Sequence, residues 1–177
     1  FMSGTVGDNT ARASGVIAAA GGGKLLQVVN TVKTDASTIS TSWADISGLS
    51  VAITPSSASS KIYIDCSVIL YCGRIGYIKL LRDIGGAGYA DSAYIGDAAA
   101  ARTQCIGWGG YHNDYMKTGV SIGYLDTTNT TSEVTYKLQG LSSHGTYWLG
   151  INKSYGDSNT SSWGRAASSI TVWEIGA

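Results

Sequence analysis

Apolar and polar residues alternate most clearly along Lys61–Cys72. Every second position in this segment is apolar, namely Ile62, Ile64, Cys66, Val68, Leu70 and Cys72. A period of two over this length predicts a β-strand, because the apolar positions of a helix recur about every 3.6 residues. Gly73-Arg74 is suited to a tight turn into a second alternating segment, residues 77–82. The pattern therefore predicts that these two segments form a β-hairpin.

Weaker alternation predicts further strands along the chain. They are residues 24–32, 49–53, 102–108, 120–126, 134–139, 147–151 and 169–175. Pro55 and a serine-rich stretch end the second of them, and turn-forming residues separate the others. Eight or nine strands in this order predict an all-β fold, an antiparallel β-sandwich. The one helix candidate, residues 97–102, is too short to be stable alone.

The first 23 residues show neither period and end in Gly21-Gly22-Gly23. We interpret residues 1–23 as an extended N-terminal linker and residues 24–177 as one head domain. Residues 16–20, VIAAA, are too apolar for a solvated tail. We therefore expect them to pack between subunits.

Composition agrees with a single β-domain and argues against several classes of function. A chain of 177 residues can bury the core of one domain. Lys plus Arg equal Asp plus Glu at 12 each, so the net charge is zero and no basic surface for nucleic acid is expected. No run approaches the roughly 20 apolar residues that a membrane helix needs. We therefore predict neither nucleic-acid binding nor membrane insertion.

Side chains suited to catalysis or metal binding are sparse. His112 and His144 are the two histidines, and no nucleophile motif accompanies either. Asp126, Asn129 and Glu133 lie close together in sequence but lack the spacing of a calcium loop, so we interpret them as a solvated turn. The sequence predicts no catalytic residue, no metal and no cofactor. The chain is therefore expected not to be an enzyme.

Three cysteines, Cys66, Cys72 and Cys105, cannot all pair within one chain. On one strand, Cys66 and Cys72 would lie about 20 Å apart, several times the Cα separation of a disulfide. We interpret the three as free thiols that fill apolar space. Free thiols suit a protein made in a reducing cytoplasm.

Aromatic residues beside a Gly-Gly pair form the best candidate ligand site. The site comprises Trp108, Tyr111, His112, Asn113, Asp114 and Tyr115. Flat rings beside amide and carboxylate groups in a glycine-flexed segment are suited to gripping a sugar ring. The alternative is that these aromatics pack on the sandwich or on a neighbouring subunit. Tyr147, Trp148 and Trp163 are further candidates for stacking, whereas Trp173 suits the core or a subunit contact.

Three phrases of the sequence resemble fibre-like structural proteins of marine tailed bacteriophages. They are GDNTARASGVI at residues 7–17, GLSVAITPSSASSKI at residues 48–62 and GRAASSITVWEI at residues 164–175. The resemblance implies a C-terminal β-sandwich head of jelly-roll type. It also implies a trimeric appendage, such as a tail fibre, that contacts the host cell surface.

Partners and location follow from the same resemblance. We expect a homotrimer in which Ile69 and Tyr71, on the outer face of their strand, are buried near the threefold axis. Other virion proteins would bind on the N-terminal side, and the ligand would be a host surface glycan or receptor. The protein would belong to the virion, assembled in the host cytoplasm. The alternative is a capsid decoration, a head fibre or another structural appendage without receptor binding.

Deleting residues 1–23 is expected to leave a chain that keeps its β-sheet circular dichroism but associates more weakly as a trimer. The reason is that the alternating pattern starts only at Lys24. Circular dichroism and light scattering on the truncated protein measure the two effects. Loss of the β-sheet signal would show that the segment is a core strand and that the domain boundary is wrong.

Overall fold

Eleven β-strands make up the regular structure of the residues that the computed structural model describes, which are 23–92, 94–110, 117–154 and 157–177. The strands are β1 (Leu25–Lys33), β2 (Ser37–Ile39), β3 (Ala44–Ile53), β4 (Lys61–Cys72), β5 (Gly76–Ile84), β6 (Ala90–Asp91), β7 (Gly107–Gly109), β8 (Lys117–Thr127), β9 (Val134–Ser142), β10 (Leu149–Ile151) and β11 (Ser168–Ile175). Within these ranges there is no helix that is long and apolar enough to cross a membrane. Of the predicted linker, only Gly23 is among the described residues.

Two antiparallel sheets contain these strands. Sheet A has the order β1-β11-β4-β8, and the short β10 and β2 extend it beyond the end of β11. Sheet B has the order β3-β9-β5, and β7 and β6 follow one another along the other edge of β5. With β6 and β7 counted as one broken strand, this is the strand order of a jelly roll, a double Greek key. The predicted antiparallel sandwich is confirmed.

The longest strand, β4, is hydrogen-bonded along both edges. It pairs with β8 from Lys61 to Tyr71 on one side and with β11 and then β10 on the other. The apolar positions predicted to share one face are all fully buried, at Ile62, Ile64, Cys66, Val68, Leu70 and Cys72. Burying each of the larger aliphatic side chains contributes about 1.5–3 kcal/mol. The inner face of β4 is therefore a major part of the core.

The predicted hairpin of β4 and β5 is wrong. The two strands lie in different sheets, and residues 73–75 carry the chain across the sandwich. Because both edges of β4 are occupied, β5 pairs with β9 instead. A Cβ added at Gly76 would lie 2.6 Å from Leu149 Cδ1, so glycine is needed where the crossing chain meets β10.

Residues 97–106 differ from both predictions made for them. The helix candidate at residues 97–102 contains a turn, in which the amide of Arg102 donates to the carbonyl of Ala99 at 3.1 Å. Ala100 has a φ of 53°, which a right-handed helix does not accept. The strand predicted from residue 102 begins only at Gly107.

Tyr71 is not available for the subunit contact predicted from its outward position. It is only 1% exposed within a single chain, and the ring of Trp148 packs on it with 5.6 Å between centroids. Ile69 is half-buried. The prediction for Tyr71 failed because the segment that contributes Trp148 to this face, immediately before β10, was not placed next to β4.

Asp126 is buried and does not lie in a solvated turn. It faces inward near the end of β8 and accepts two hydrogen bonds from Nη1 of Arg82, at 2.7 and 2.9 Å. The hydroxyl of Tyr136 donates to the same carboxylate at 2.8 Å. Arg82 and Tyr136 belong to sheet B, so this buried ion pair joins the two sheets.

Glu174 forms a second buried polar contact, close to the start of β4. Its carboxylate accepts a hydrogen bond from Nε2 of Gln27 at 2.6 Å, and from the amide and hydroxyl of Ser56 at 2.7 Å each. Burial by itself raises the pKa of Glu174, but the hydrogen bonds outweigh it and lower the pKa to about 2. Glu174 therefore fastens β1 and the loop after β3 to β11.

Replacing Glu174 with Gln is expected to lower the free energy of unfolding by about 2 kcal/mol at neutral pH. The folded-state pKa lies below the ordinary value of 4.5, so the contribution is complete above that pH and is lost as pH falls towards 2. Urea unfolding at neutral and acid pH should show the difference from wild type shrinking on acidification. Glu133→Gln, at an exposed position, is the control. Equal effects of the two substitutions would contradict this role for Glu174.

Candidate functional site

Trp108 lies on the outer face of sheet B, at the end where β5 begins. It stands opposite Tyr77 in the pairing of β7 with β5, so the two side chains share one face. Trp108 is 63% exposed, more than any other large apolar residue of the described chain. A fixed strand thus presents an aromatic ring to solvent.

Close packing explains the glycines on either side of Trp108. A Cβ added at Gly107 would lie 2.6 Å from Val120 Cγ1, and one added at Gly109 would lie 2.7 Å from Thr118 Cγ2. β7 therefore approaches β8 closely across the end of the sandwich. The interpretation of the Gly109-Gly110 segment as flexible is wrong for Gly109, because its role, like that of Gly107, is to let β7 approach β8 closely.

Gly110, immediately after β7, is also held in place by its neighbours. Its φ is 86°, and its amide donates to the hydroxyl of Thr118 at 3.2 Å. A Cβ there would lie 2.7 Å from the carbonyl oxygen of Arg74, on the crossing between the sheets. The backbone on the C-terminal side of Trp108 is therefore held by β8 and by this crossing.

Beside Trp108 lies an open pocket of about 720 Å³. One wall consists of β5 and β7, with Tyr77 and Trp108, and the other consists of residues 96–106, which contribute Asp97, Arg102 and Gln104. The second wall is hydrogen-bonded internally and to β5. The amide of Gly96 donates to the carbonyl of Cys105 at 3.1 Å, Nε2 of Gln104 donates to the carbonyl of Gly96 at 2.8 Å, and the amide of Ile106 donates to the carbonyl of Ile78 at 2.9 Å.

The chemistry of the pocket combines flat apolar rings with side chains that bind hydroxyl groups. Tyr77 and Trp108 offer ring surfaces. The carboxylate of Asp97 can accept hydrogen bonds, the guanidinium of Arg102 can donate them, and the side-chain amide of Gln104 can do both. Within the described parts of the chain, no ion pair occupies Asp97 or Arg102. The volume is in the range that accommodates a small ligand. A pyranose ring, with one apolar face and a rim of hydroxyls, matches this lining.

Of the predicted site, the structure places Trp108 at this pocket. Tyr111, His112, Asn113, Asp114 and Tyr115 lie outside the described residues, so their predicted role stays a prediction. Sequence reasoning did not find Tyr77, Asp97, Arg102 or Gln104. No sequence signal joins them, because the pairing of β5 with β7 and the path of residues 96–106 bring them together.

The other aromatic candidates have partners within the chain. The ammonium of Lys153 lies 4.4 Å from the centre of the Trp148 ring, whose neighbour is Tyr71. Trp163 is half-buried. The ring of Trp173 packs against that of Tyr63 with 5.4 Å between centroids. Trp148 and Trp173 thus have roles in packing.

Among the residues that the structure describes, the titratable groups suggest no second site. Burial raises the pKa of Cys66 to about 12 and also raises that of Cys105, which lines the pocket. These thiols are therefore less reactive than an ordinary cysteine. Nδ1 of His144 accepts a hydrogen bond from the amide of Thr146 at 3.3 Å. Within the described ranges, no three His, Cys, Asp or Glu side chains are placed to hold a metal ion.

Comparison with known proteins gives no family. No protein-family model matches the chain, and no curated protein matches it. The chain is similar to one in "Structure of infectious bursal disease virus Gx strain", with 12% identity and a TM-score of 0.34. The match covers 86% of this chain and 43% of that one, less than half of its length. A likeness at this level carries no argument about function, and the resemblance to phage fibre proteins stays a prediction.

Gly107→Ala and Gly109→Ala are each expected to lower the free energy of unfolding by about 1–3 kcal/mol, because the added methyl group forces β7 away from β8. Thermal or urea unfolding measures the loss. Gly145→Ala is the matched control, since nothing lies within 4 Å of a Cβ at that position. If the first two variants were as stable as the control, the close contact of β7 with β8 would be disproved.

Proposed function

We propose that this chain is the glycan-binding head domain of a virion appendage such as a phage tail fibre. It would attach the virion to the host surface by binding and would catalyse no reaction. The proposal is carried by one observation: a tryptophan, fixed by close-packed glycines, stands 63% exposed beside a pocket lined by a second ring and by hydroxyl-binding side chains.

The location of the pocket within the sandwich supports this role. The N-terminal chain enters at Leu25, which pairs with Ile175, and Ile175 pairs with Lys61 at the start of β4. The pocket lies beyond the other end of β4, where the chain has crossed to β5. A strand of this length spans roughly 35 Å. A domain held by its N-terminal side would therefore present the pocket at its far end.

The energetics of the site suit an appendage that carries several copies. One stacked aromatic ring contributes about 0.5–1.5 kcal/mol beyond its buried area, so one shallow site binds a sugar weakly. Linking sites that engage together raises the apparent affinity by roughly 10²–10⁴. Weak single sites and several copies give a virion firm but reversible attachment.

Fold and sequence supply the remaining support. Jelly rolls occur in viral capsid and lectin domains, although a fold alone does not decide function. The resemblance of three sequence phrases to phage fibre proteins favours the appendage over other uses of the fold. Labelling intact virions with an antibody to this chain tests the location: a tail position agrees with the proposal, and a capsid position contradicts it.

Trp108→Ala is expected to weaken binding to host cells or to isolated surface glycan by about tenfold, a loss of roughly 1.4 kcal/mol of binding free energy. The pocket loses its main stacking surface while the backbone of β7 is unchanged. Cell-binding assays and calorimetry with the purified glycan measure the effect. Tyr89→Ala removes another exposed aromatic ring, which lies just before β6 and outside the pocket, and should bind as wild type does. Undiminished binding by the Trp108 variant would refute the site.

A further inference from the structure

A second, smaller pocket lies at the same end of the sandwich as the pocket beside Trp108. Its volume is about 250 Å³. The residues that line it are Tyr71, Gly73, Thr146, Tyr147 and Trp148. Tyr71 projects from the outer face of β4, so this pocket opens on the outer side of sheet A. We call the pocket beside Trp108 the first pocket and this one the second pocket.

The chain that crosses from β4 to β5 separates the two pockets. Tyr71 and Gly73 line the second pocket, whereas Ile75 and Tyr77 line the first. The Cα atoms of Gly73 and Ile75 are two residues apart in sequence, so at most about 7 Å lies between them. The two pockets are therefore neighbours, with one short stretch of backbone as the ridge between them.

Contacts on both sides hold this ridge in place. The amide of Ile75 donates to the hydroxyl of Ser143 at 3.2 Å, and the amide of Ser143 donates to the carbonyl of Ile75 at 2.8 Å. On the other side, Gly110 packs so closely that an added Cβ would lie 2.7 Å from the carbonyl oxygen of Arg74. The structure thus fixes the position of each pocket relative to the other.

The second pocket offers the same kinds of chemical group as the first. Tyr71, Tyr147 and Trp148 contribute aromatic ring surface, and the tyrosines and the exposed Thr146 carry hydroxyls that donate and accept hydrogen bonds. Its volume is slightly below the range of about 300–1,000 Å³ that is usual for a whole small-molecule ligand. A single sugar ring is a ligand unit of suitable size and chemistry.

Packing within the chain fixes the rings of the second pocket before any ligand binds. A Cβ added at Gly73 would collide with Cδ1 of Tyr147, so glycine allows this ring to lie against the ridge. The carbonyl of Tyr147 accepts a hydrogen bond from the hydroxyl of Ser142. A Cβ at Gly150 would lie 2.6 Å from Cζ3 of Trp148, so the indole lies on the backbone of β10. Rings that are already ordered lose little entropy on binding.

The ridge itself carries a hydrogen-bond donor. Arg74 is its middle residue and is exposed, and none of the ion pairs among the described residues includes it. A guanidinium has five N–H donors and no acceptor, so it suits the hydroxyls or carboxylates of a ligand that passes over the ridge. The sheets of a sandwich are about 10 Å apart, a distance that a chain of a few linked sugar rings can span.

We propose that the two pockets are neighbouring subsites of one extended glycan site, which binds several linked sugar rings across the ridge. The proposal rests on the proposed function, because its first subsite is the pocket beside Trp108. It adds a second subsite and a class of ligand, a polysaccharide chain recognised along its length. A ligand that fills one subsite presents its next ring to the other at high effective concentration, so affinity rises with chain length.

The test is calorimetric titration of the full chain with host surface polysaccharide that has been partly hydrolysed and separated by length. Wild type is expected to bind the longer fragments at least tenfold more tightly than the shortest fragment that binds. Tyr147→Ala should largely remove this dependence on length, and so should Trp108→Ala, because each leaves one subsite. Tyr89→Ala is the matched control, since it removes an exposed ring that lines neither pocket and should retain the dependence.

Thr146→Leu fills the second pocket from an exposed position and serves if Tyr147→Ala does not fold, which circular dichroism establishes. It should also remove the dependence on length. Wild type that binds every length equally would overturn the second subsite and leave the first intact, and so would a dependence that persists in Tyr147→Ala and Thr146→Leu. Wild type that binds no fragment would contradict the proposed function itself, and the extended site with it.

Discussion

Hydrogen bonding along both edges of β4, together with the complete burial of its inner face, is the constraint on which the rest of the structure depends. No edge remains for the next strand, so the chain crosses to the second sheet within residues 73–75. That crossing defines one end of the sandwich. Gly110 packs against the crossing chain, and β7 pairs with β5 beside it. The pocket lies on the outside of this end.

Different interactions stabilise the two ends of the sandwich. Near the start of β4, buried polar contacts join separate elements: Glu174 binds the loop after β3, and Asp126 binds Arg82 and Tyr136 of the opposite sheet. Around Trp108, the backbone of β7 at Gly107 and Gly109 packs directly against side chains of β8 instead. Because hydrogen bonds lower the pKa of Glu174 to about 2, its contribution at the N-terminal end is lost in acid, whereas the distal end depends on the absence of side chains at two glycines.

The outer faces of the two sheets carry different kinds of exposed side chain. Sheet A exposes the apolar side chains of Val28, Tyr63 and Leu125. Sheet B carries the projecting Trp108 beside a pocket that also contains Asp97, Arg102 and Gln104. Recognition of a sugar requires a few oriented groups.

The sequence by itself determined that the fold is all-β and which positions of the clearest strands face the core, but not the face of β1, whose apolar Leu26, Val28 and Val32 are exposed. Alternation with a period of two is a local property, so the strands at Lys61–Cys72 and Val134–Ser142 could be recognised without knowing their neighbours. Strand partners are not local. The crossing after β4, the covering of Tyr71 by Trp148 and the pairing of Asp126 with Arg82 each depend on which strands become neighbours, and topology decides this. The candidate site shows the same division. The local sequence pointed to Trp108. The other residues of the pocket meet it only because non-local hydrogen bonds fix the register of β5 with β7 and the path of residues 96–106, and these residues are Tyr77, Asp97, Arg102 and Gln104.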